Sequence, residues 1–289
     1  MKKILITGAT GTVGLEVLKA LKTINEPVEI FAGIRNLETE SLKLENFNVK
    51  TKLFDFTTIN TFKNALSDID ILFLLRPPNI SDVKQFFEPL IKTAIECNIK
   101  HIVFLSVQGV EKSSIIPHHK IEKVIVESKI PYTFLRPAYF MQNFTTTLKN
   151  DLVNNKRIFL PAGNAKFTLI DASDIGKVAS IILTQSEHHR NKSYELTNNE
   201  ILTFAEMAHK LTIGLGTTIK YQSPNLINFF VEKRKEKTPT MLILVMIMLH
   251  YLPRFQKSPK ITDCVKQITK NEPKTFDQFI IDNKTVLKV

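Results

Sequence analysis

The feature that most constrains the fold is a glycine-spaced turn between an apolar run and a helical pattern near the N-terminus. Residues 3–7 (KILIT) are typical of a short buried strand, and Gly8, Gly11 and Gly14 follow at intervals of three. Apolar residues then recur at helical spacing, so a helix begins at the turn. Strand, glycine turn and helix in this order hold a dinucleotide pyrophosphate at a helix N-terminus. We predict that a dinucleotide contacts Gly8, Thr10, Gly11, Thr12, Val13 and Gly14; a tight turn without a ligand is the alternative.

The segment after the second predicted strand, Val28–Ala32, indicates which dinucleotide is bound. Arg35 stands in the region where an acid often holds the ribose 2′-hydroxyl of NAD, and residues 33–36 (GIRN) contain no acid. A carboxylate would repel a 2′-phosphate, whereas a guanidinium offers it a planar fork of donors. We therefore expect NADP(H) to be preferred over NAD(H). A solvated surface arginine is the alternative.

The ends of two further strands extend the predicted cofactor site. The third strand, residues 49–54, is followed by Asp55 and Phe56, which can accept from the adenine amino group and cover its ring. A helix cap is the alternative for Asp55. Residues 70–75 (DILFLL) form a nearly continuous apolar run, as expected of a central parallel strand. Ligands lie beyond the carboxyl ends of such strands, so we place Leu74, Leu75 and Arg76 near the cofactor.

Strands and helical patterns alternate in the first two thirds of the chain. This alternation predicts an α/β fold with a doubly wound, parallel Rossmann sheet and right-handed crossovers. From Gly214 onward the pattern changes to helices and loops. We predict an NAD(P)-binding Rossmann core at residues 1–185. Residues 186–289 are expected to form a small, mainly helical lobe that binds substrate or acts as a lid, packed on the core.

One late segment, Met241–Leu249 (MLILVMIML), is apolar on every side. It is shorter than the roughly 20 residues that a bilayer span needs, so we predict no integral membrane segment. A buried helix or a hydrophobic lid is the favoured interpretation. Attachment to a membrane surface beside the basic residues 233–237 is the alternative.

Composition limits the possible partners. The net charge is +11, from 39 Lys and Arg against 28 Asp and Glu. No nucleic-acid-binding motif accompanies this charge, which suits capture of an anionic cofactor, so we expect a small-molecule substrate and no nucleic acid. Two distant cysteines, Cys97 and Cys264, do not make a disulfide framework and favour a reducing compartment. We expect a cytoplasmic protein with an uncleaved N-terminus and no metal site. A homodimer and a monomer are both left open by the sequence.

Several motifs resemble those of the NmrA-like group of atypical short-chain dehydrogenase/reductases, nearly end to end. This group includes triphenylmethane-reductase-like and quinone-oxidoreductase-like proteins. The resemblance implies a Rossmann core that binds NADP(H) and a small C-terminal lobe that closes over the nicotinamide. The most specific matches are residues 8–14 (GATGTVG) and 135–143 (LRPAYFMQN), and the others are residues 34–36, 104–110, 117–122, 171–175 and 274–279.

The resemblance also reveals a departure. Typical short-chain dehydrogenases use a serine and a Tyr-x-x-x-Lys pair, and the lysine is usually followed four residues later by an acid. Here His118 stands at the lysine position before Glu122, and Ser114 stands at the tyrosine position. In another register His119 takes the place of the tyrosine, before Lys123. Neither register restores the phenolic proton donor.

The missing donor favours some substrates over others. Hydride transfer needs a cofactor held against an electrophile, and a ketone also needs an acid. A quinone or a cationic dye needs none, because its reduced product is a weak base. We predict an NADPH-dependent reductase of a small planar electrophile such as a quinone. A non-enzymatic NADP(H)-binding redox sensor or regulator is the alternative.

Five side chains are candidates for the catalytic and substrate sites. Ser106, at the end of the fifth strand, is expected to face the nicotinamide, although a backbone-bonded hydroxyl is the alternative. His118 can position substrate or bind the nicotinamide ribose, or it can pair structurally with Glu122. The substrate mouth is predicted to contain Tyr139, Phe140 and Asn143, for which aromatic core packing is the alternative.

Overall fold

In a computed structural model that describes residues 1–288, the chain forms twelve strands and eleven α-helices. The strands are β1 (Lys2–Thr7), β2 (Val28–Ile34), β3 (Lys50–Leu53), β4 (Ile71–Leu75), β5 (His101–Leu105), β6 (Tyr132–Pro137), β7 (Tyr139–Phe140), β8 (Arg157–Phe159), β9 (Lys166–Ile170), β10 (Lys192–Leu196), β11 (Ile201–Thr203) and β12 (Lys220–Gln222). The helices are α1 (Thr12–Lys22), α2 (Asn60–Leu66), α3 (Val83–Glu96), α4 (Pro117–Glu127), α5 (Lys149–Asn155), α6 (Ala172–Thr184), α7 (Phe204–Leu215), α8 (Leu226–Lys235), α9 (Thr240–Tyr251), α10 (Cys264–Thr269) and α11 (Phe276–Asp282).

Seven strands pair in parallel in the order β10-β6-β5-β4-β1-β2-β3. The strand order reverses at β1, which has β2 on one side and β4 on the other. In open parallel sheets, ligands bind beyond the carboxyl ends of the strands at this kind of reversal. The predicted doubly wound parallel sheet is confirmed, and its switch point lies at the glycine turn.

The apolar runs identified in the sequence form the interior of this sheet. Every residue of β5 is buried, as are the first four residues of β4, because helices cover both faces of a parallel sheet. Phe87 and Leu90 of α3 and Ile121 of α4 belong to one buried cluster with the strand residues Leu72 and Phe104. These helices therefore bury one apolar face against the sheet. The exception is Ile95 at the end of α3, which its spacing places on the inward face and which is 48% exposed.

The chain divides into two compact units that alternate along the sequence. The first contains residues 1–137, 172–196 and 264–272, and the second contains residues 138–171, 197–263 and the segment from Pro273 onward. The predicted boundary after residue 185 is different, because residues 138–171 lie in the second unit and residues 186–196 in the first. Tertiary pairing explains the difference, since β10 joins the edge of the parallel sheet beside β6.

The second unit has its own small sheets and its own core. β9 pairs in parallel with β7 and antiparallel with β11, and β8 pairs in parallel with β12. Helices α5, α7, α8, α9 and α11 complete the unit. Its buried cluster is rich in phenylalanine and includes Phe144, Phe167, Phe204, Phe229 and Phe276. Within residues 1–288, no helix is both long enough and apolar enough to cross a bilayer.

Candidate cofactor site

The glycine turn joins β1 to α1 with a geometry that two of its glycines make possible. Gly8 has a φ of +60°, in the left-handed region that favours glycine. The main-chain N–H of Gly11 donates to the carbonyl of Gly8 over 3.0 Å and closes the turn. At Gly14 a Cβ would lie 2.2 Å from that carbonyl oxygen. Gly8 and Gly14 are therefore required by the packing of the chain itself.

Gly11 is less tightly constrained by the packing of the chain than Gly8 and Gly14. It has extended backbone at the N-cap of α1, and a Cβ there would lie 3.2 Å from the Gly8 oxygen, a tight contact that requires only a small shift of that carbonyl. Gly8, Gly11 and Thr12 are exposed, and no side chain caps the N–H groups of the first turn. That turn contains no acid. The uncapped N–H groups and the helix dipole form a cradle for an anion.

Arg35 follows β2, and its environment contains an acid that sequence reasoning missed. The carboxylate of Glu40 accepts from the Arg35 main-chain N–H at 2.8 Å and from Nη2 of its guanidinium at 3.3 Å. Burial would raise the pKa of Glu40, but the hydrogen bonds from Arg35 and Asn36 hold it below its ordinary value. The Arg35 side chain is still 73% exposed and can meet a ligand. The sequence feature that could have revealed this contact is Glu40 itself, an acidic residue five positions after Arg35.

Asp55 and Phe56 both have local structural roles. Oδ1 of Asp55 accepts from the main-chain N–H and the hydroxyl of Thr57, each at 2.8 Å. The Phe56 ring is buried, and its centroid lies 4.9 Å from that of Phe54 and 5.3 Å from that of Phe87. Asp55 closes a local turn at Thr57 and does not cap a helix, because α2 begins at Asn60 with Ile59 as its N-cap. The Phe56 ring belongs to the core. Contact of either residue with adenine stays a prediction.

Leu74, Leu75 and Arg76 lie at the end of β4, beside the glycine turn. Leu74 is fully buried, so its side chain serves the core. Cδ1 of Leu75 lies 3.2 Å from the position that a Cβ on Gly8 would take, so it packs under the turn.

Nη1 of Arg76 donates to the carbonyl of Ile80 over 2.7 Å and also to those of Pro77 and Pro78. This guanidinium therefore organises the loop after β4.

The Arg76 guanidinium also contacts His118, in the first turn of α4. Nε of Arg76 donates to Nε2 of His118 over 3.3 Å. Burial, and then the positive charge of Arg76, lowers the pKa of His118 to about 3. Because Nε2 is the acceptor, the neutral ring carries its proton on Nδ1. His118 is thus neutral near pH 7, and only its Nδ1–H can donate.

The carboxylate of Glu122 pairs with Arg136 rather than with His118. Nε and Nη2 of Arg136 donate to the two carboxylate oxygens at 3.1 and 2.7 Å. Glu111 lies 3.6 Å from the same guanidinium. The expected pairing of His118 with Glu122 does not occur. Instead, Glu122 of α4 accepts two hydrogen bonds from Arg136 of β6. Sequence reasoning missed this role of Arg136, although the residue lies in one of the specific motifs.

Ser106 directly follows β5, next to the strand that carries Arg76. Its main-chain N–H donates to the carbonyl of Leu135 over 2.7 Å. Its hydroxyl is buried, and within residues 1–288 its Oγ is one of two buried side-chain polar atoms without a hydrogen-bond partner. The expected alternative, a hydroxyl bonded to the backbone, does not describe it. A buried hydroxyl without a partner is unfavourable unless a ligand satisfies it.

The predicted substrate residues all lie in the second unit. The hydroxyl of Tyr139 lies 3.1 Å from Nε2 of His250, and Nδ1 of that histidine bonds to the carbonyl of Met246. Burial lowers the pKa of His250 to about 4, so Nε2 is an acceptor and Tyr139 donates. Burial also raises the pKa of Tyr139. Phe140 is half-buried in β7, and Asn143 hydrogen-bonds to the Tyr139 side chain. The Tyr139 ring packs against the aromatic core of the second unit, as the alternative interpretation expects. Contact of Tyr139, Phe140 or Asn143 with a substrate stays a prediction.

The register of the parallel sheet explains why several of the predicted residues meet at one edge. Thr7 pairs with Gly33, and Leu75 pairs with Leu105. The glycine turn, Arg35, Arg76 and Ser106 each follow the carboxyl end of their strand, so these segments share one edge. The first unit thus brings together an anion cradle, an exposed guanidinium and a buried hydroxyl without a partner.

Comparisons with known proteins show the family of the chain. Residues 1–279 match the NmrA-like family. The chain is 28% identical over 278 residues to prestalk A differentiation protein A of Dictyostelium discoideum, which covers 96% of this chain and 90% of that protein. It is 27% identical over 281 residues to an NAD(P)H azoreductase of Xenophilus azovorans, with 96% of each chain covered.

A solved structure shares the whole fold. The triphenylmethane reductase of Citrobacter sp., in complex with NADP(H), superimposes with a TM-score of 0.85 at 23% identity, covering 97% of this chain and 99% of that one. The resemblance inferred from the motifs is confirmed by the match over residues 1–279. The protein belongs to the NmrA-like family.

Proposed function

We propose that the protein is an NAD(P)H-dependent reductase that delivers hydride to a small planar electrophile such as a quinone. The observation that carries this proposal is the turn at residues 8–14, where Gly8 and Gly11 are exposed at a helix N-terminus that no side chain caps and Gly14 is packed against the Gly8 carbonyl. The Xenophilus relative is named as an NAD(P)H azoreductase, and an azo dye is also a conjugated electron acceptor.

The residues of the first unit suit such a cofactor. The first turn of α1 would hold the pyrophosphate, and the unsatisfied Ser106 hydroxyl would hydrogen-bond to the nicotinamide end. When bound, the cofactor supplies a hydride. The residues of this chain bind it, orient it and exclude water from it.

Preference for NADP(H) over NAD(H) is part of the proposal. The exposed guanidinium of Arg35 matches a 2′-phosphate in charge and shape. Glu40 reduces this preference, because its carboxylate already accepts from the main-chain N–H and the guanidinium of Arg35. The preference for NADP(H) over NAD(H) therefore depends on two opposing effects: the attraction of the 2′-phosphate to Arg35 and its repulsion by the Glu40 carboxylate.

The proton chemistry favours acceptors whose reduced form is a weak base. His118 is neutral, and its Nε2 already accepts from Arg76. In neither register does a Tyr-x-x-x-Lys pair occur at residues 114–123. Ser106 can donate a hydrogen bond to developing negative charge, but its hydroxyl is a weak acid. A simple ketone is therefore expected to be a poor substrate.

The test is to follow NADPH absorbance with the purified protein and three acceptor classes: quinones, cationic or azo dyes, and simple ketones. We expect turnover with the first two classes and little with ketones. The Gly11→Val variant is the matched control, because it should remain folded and lose turnover. Equal rates with ketones would contradict the acid-free mechanism, and absence of turnover with every acceptor would overturn the enzymatic proposal.

A sensor is the second candidate. The observation in its favour is that Arg76, His118 and Arg136 are all engaged in hydrogen bonds within the fold, as in a structural scaffold. The Dictyostelium relative is named for differentiation and not for a reaction. Tight NADP⁺ binding by calorimetry, without turnover of any acceptor, would favour this function.

A further inference from the structure

Helix α9 has a mainly apolar face that packs in the protein and an apolar face in solvent. Ile243, Met246 and His250 are buried in the second unit. Six other large side chains are between 40% and 72% exposed. We call these six the α9 apolar face: Met241, Leu242, Leu244, Val245, Met248 and Leu249.

This face is larger than the scattered apolar residues of an ordinary surface. It continues into the turn after α9, where Leu252 is 49% and Phe255 is 72% exposed. A contiguous apolar patch of this kind marks a site of interaction with a protein or a membrane. The sequence showed only that the segment was apolar, and the structure shows which side chains are left uncovered.

Positive charge flanks the α9 apolar face at both ends. Residues 226–260 carry seven Lys or Arg and two Glu, a net charge of +5. Lys235 and Lys237 precede the helix, Arg254 and Lys257 follow it, and all four are exposed. Lys233 does not contribute to this surface, because it is buried in an ion pair with Asp151, and without it the segment carries a net charge of +4.

The charge distribution decides between the two main kinds of occupant. In a twofold dimer through α9, the same basic residues of both copies would lie on one rim and repel each other. A surface of anionic lipid headgroups would instead neutralise them. Apolar side chains flanked by lysine and arginine are typical of helices that lie in a membrane interface.

The length of the helix fits an in-plane arrangement. α9 has 12 residues, about 18 Å at 1.5 Å per residue, which is shorter than the hydrocarbon thickness of a bilayer. We propose that the α9 apolar face docks onto an anionic lipid surface, with the helix axis in the membrane plane and the flanking basic side chains on the headgroups.

The first test uses the wild-type full chain with vesicles of phosphatidylcholine alone or mixed equally with phosphatidylglycerol. We expect co-sedimentation with the anionic vesicles at least about 10-fold above that with neutral vesicles, and a marked loss at high salt. Binding needs no dinucleotide, so its outcome is independent of the reductase assay. Absence of co-sedimentation with anionic vesicles overturns the proposal.

The second test uses substitutions with a matched control. Leu244→Gln combined with Met248→Gln should reduce vesicle binding about 10-fold at an unchanged thermal midpoint, because both side chains are exposed. Ile213→Gln, on α7 and 70% exposed, should leave binding unchanged. Equal binding by the double variant and wild type would contradict the assignment of the face.

Sedimentation velocity separates lipid docking from self-association. We expect a wild-type species whose mass does not depend on residues 244 and 248. A dimer that the double variant converts to monomer would assign the face to a second copy and overturn lipid docking.

Discussion

The guanidinium of Arg76 donates from Nε to Nε2 of His118 across 3.3 Å, and this contact determines what the histidine can do. An imidazole that accepts at Nε2 must be neutral and carry its proton on Nδ1. Burial and the adjacent positive charge both lower the pKa of His118, to about 3. His118 is therefore neutral near pH 7, so in the register that aligns it with the usual lysine that position carries no charge.

Removing the Arg76 charge should raise the pKa of His118. In the Arg76→Gln variant, burial persists, so we expect a pKa above the value of about 3 in the wild type but below the ordinary 6.5. NMR titration of the His118 ring measures it. Lys84→Gln, an exposed cation on α3, is the control and should leave the titration unchanged. An unchanged pKa in Arg76→Gln would show that burial alone holds the ring neutral.

Buried histidines should make the protein sensitive to mild acid. Burial, followed by smaller charge effects, lowers the pKa of His101 to about 4, below its ordinary 6.5. The folded state therefore binds fewer protons than the unfolded state, so this stabilisation is present above pH 6.5 and is lost as the pH falls toward 4. Each such histidine contributes a slope of at most about 1.4 kcal/mol per pH unit.

Urea unfolding at about pH 7, 6 and 5 measures this dependence. The free energy of unfolding should decrease more steeply with falling pH in wild type than in His101→Gln. His209→Gln, in which an exposed histidine of α7 is replaced, should keep the wild-type slope. Identical slopes in all three proteins would contradict the burial argument.

Arg35→Ala should weaken NADP(H) far more than NAD(H). A charge-assisted hydrogen bond contributes roughly 1.5–3 kcal/mol, so we expect about a 10- to 100-fold loss in NADPH affinity. Titration calorimetry with both cofactors measures the ratio. Lys43→Ala, which replaces an exposed cation between β2 and β3, controls for general charge. Equal losses for the two cofactors would refute the 2′-phosphate assignment.

Glu40→Gln should act in the opposite direction. The amide keeps an oxygen that can accept from the Arg35 N–H but removes a negative charge beside the guanidinium. We expect tighter NADPH binding and nearly unchanged NADH binding, as fluorescence titration can show. If NADPH binds more weakly in this variant, then Glu40 supports the arginine instead of competing for it.

Two glycine substitutions should separate folding from ligand binding. Gly11→Val keeps the extended backbone of the N-cap and should lower the free energy of unfolding by no more than about 1 kcal/mol, while cofactor binding is lost. Gly14→Ala brings a Cβ to 2.2 Å from the Gly8 oxygen and should destabilise the fold by about 1–3 kcal/mol. Denaturant unfolding and cofactor titration of both variants are the measurements. Unimpaired cofactor binding by Gly11→Val would remove the basis of the anion cradle.

Features encoded by short-range spacing could be predicted from the sequence. The turn at residues 8–14 sits between β1 and α1, and the apolar run at residues 70–75 forms the centre of the sheet, as predicted. In each case the local pattern suffices, because glycine spacing sets the turn and continuous apolar residues need cover on both faces. The family was also evident, since its most specific motifs are contiguous in sequence.

The tertiary structure decided the partners of individual side chains. Arg76 meets His118 from 42 residues away, Arg136 rather than His118 takes Glu122, and Lys233 pairs with Asp151 in the interior. Such pairs depend on which faces of distant elements are brought together. The sequence does not show which partner an arginine or lysine has, because this depends on the burial of the side chain and on its distance from groups far away in the chain.

The sequence by itself determined the fold class and the position of the anion cradle, because both follow from periodicity and glycine spacing within a few residues. Only the tertiary structure decided how the units alternate along the chain, which hydroxyl is left without a partner, and which side of α9 is uncovered. The physical reason is that burial is a property of the packed chain: a side chain is covered or exposed according to segments that lie far from it in sequence.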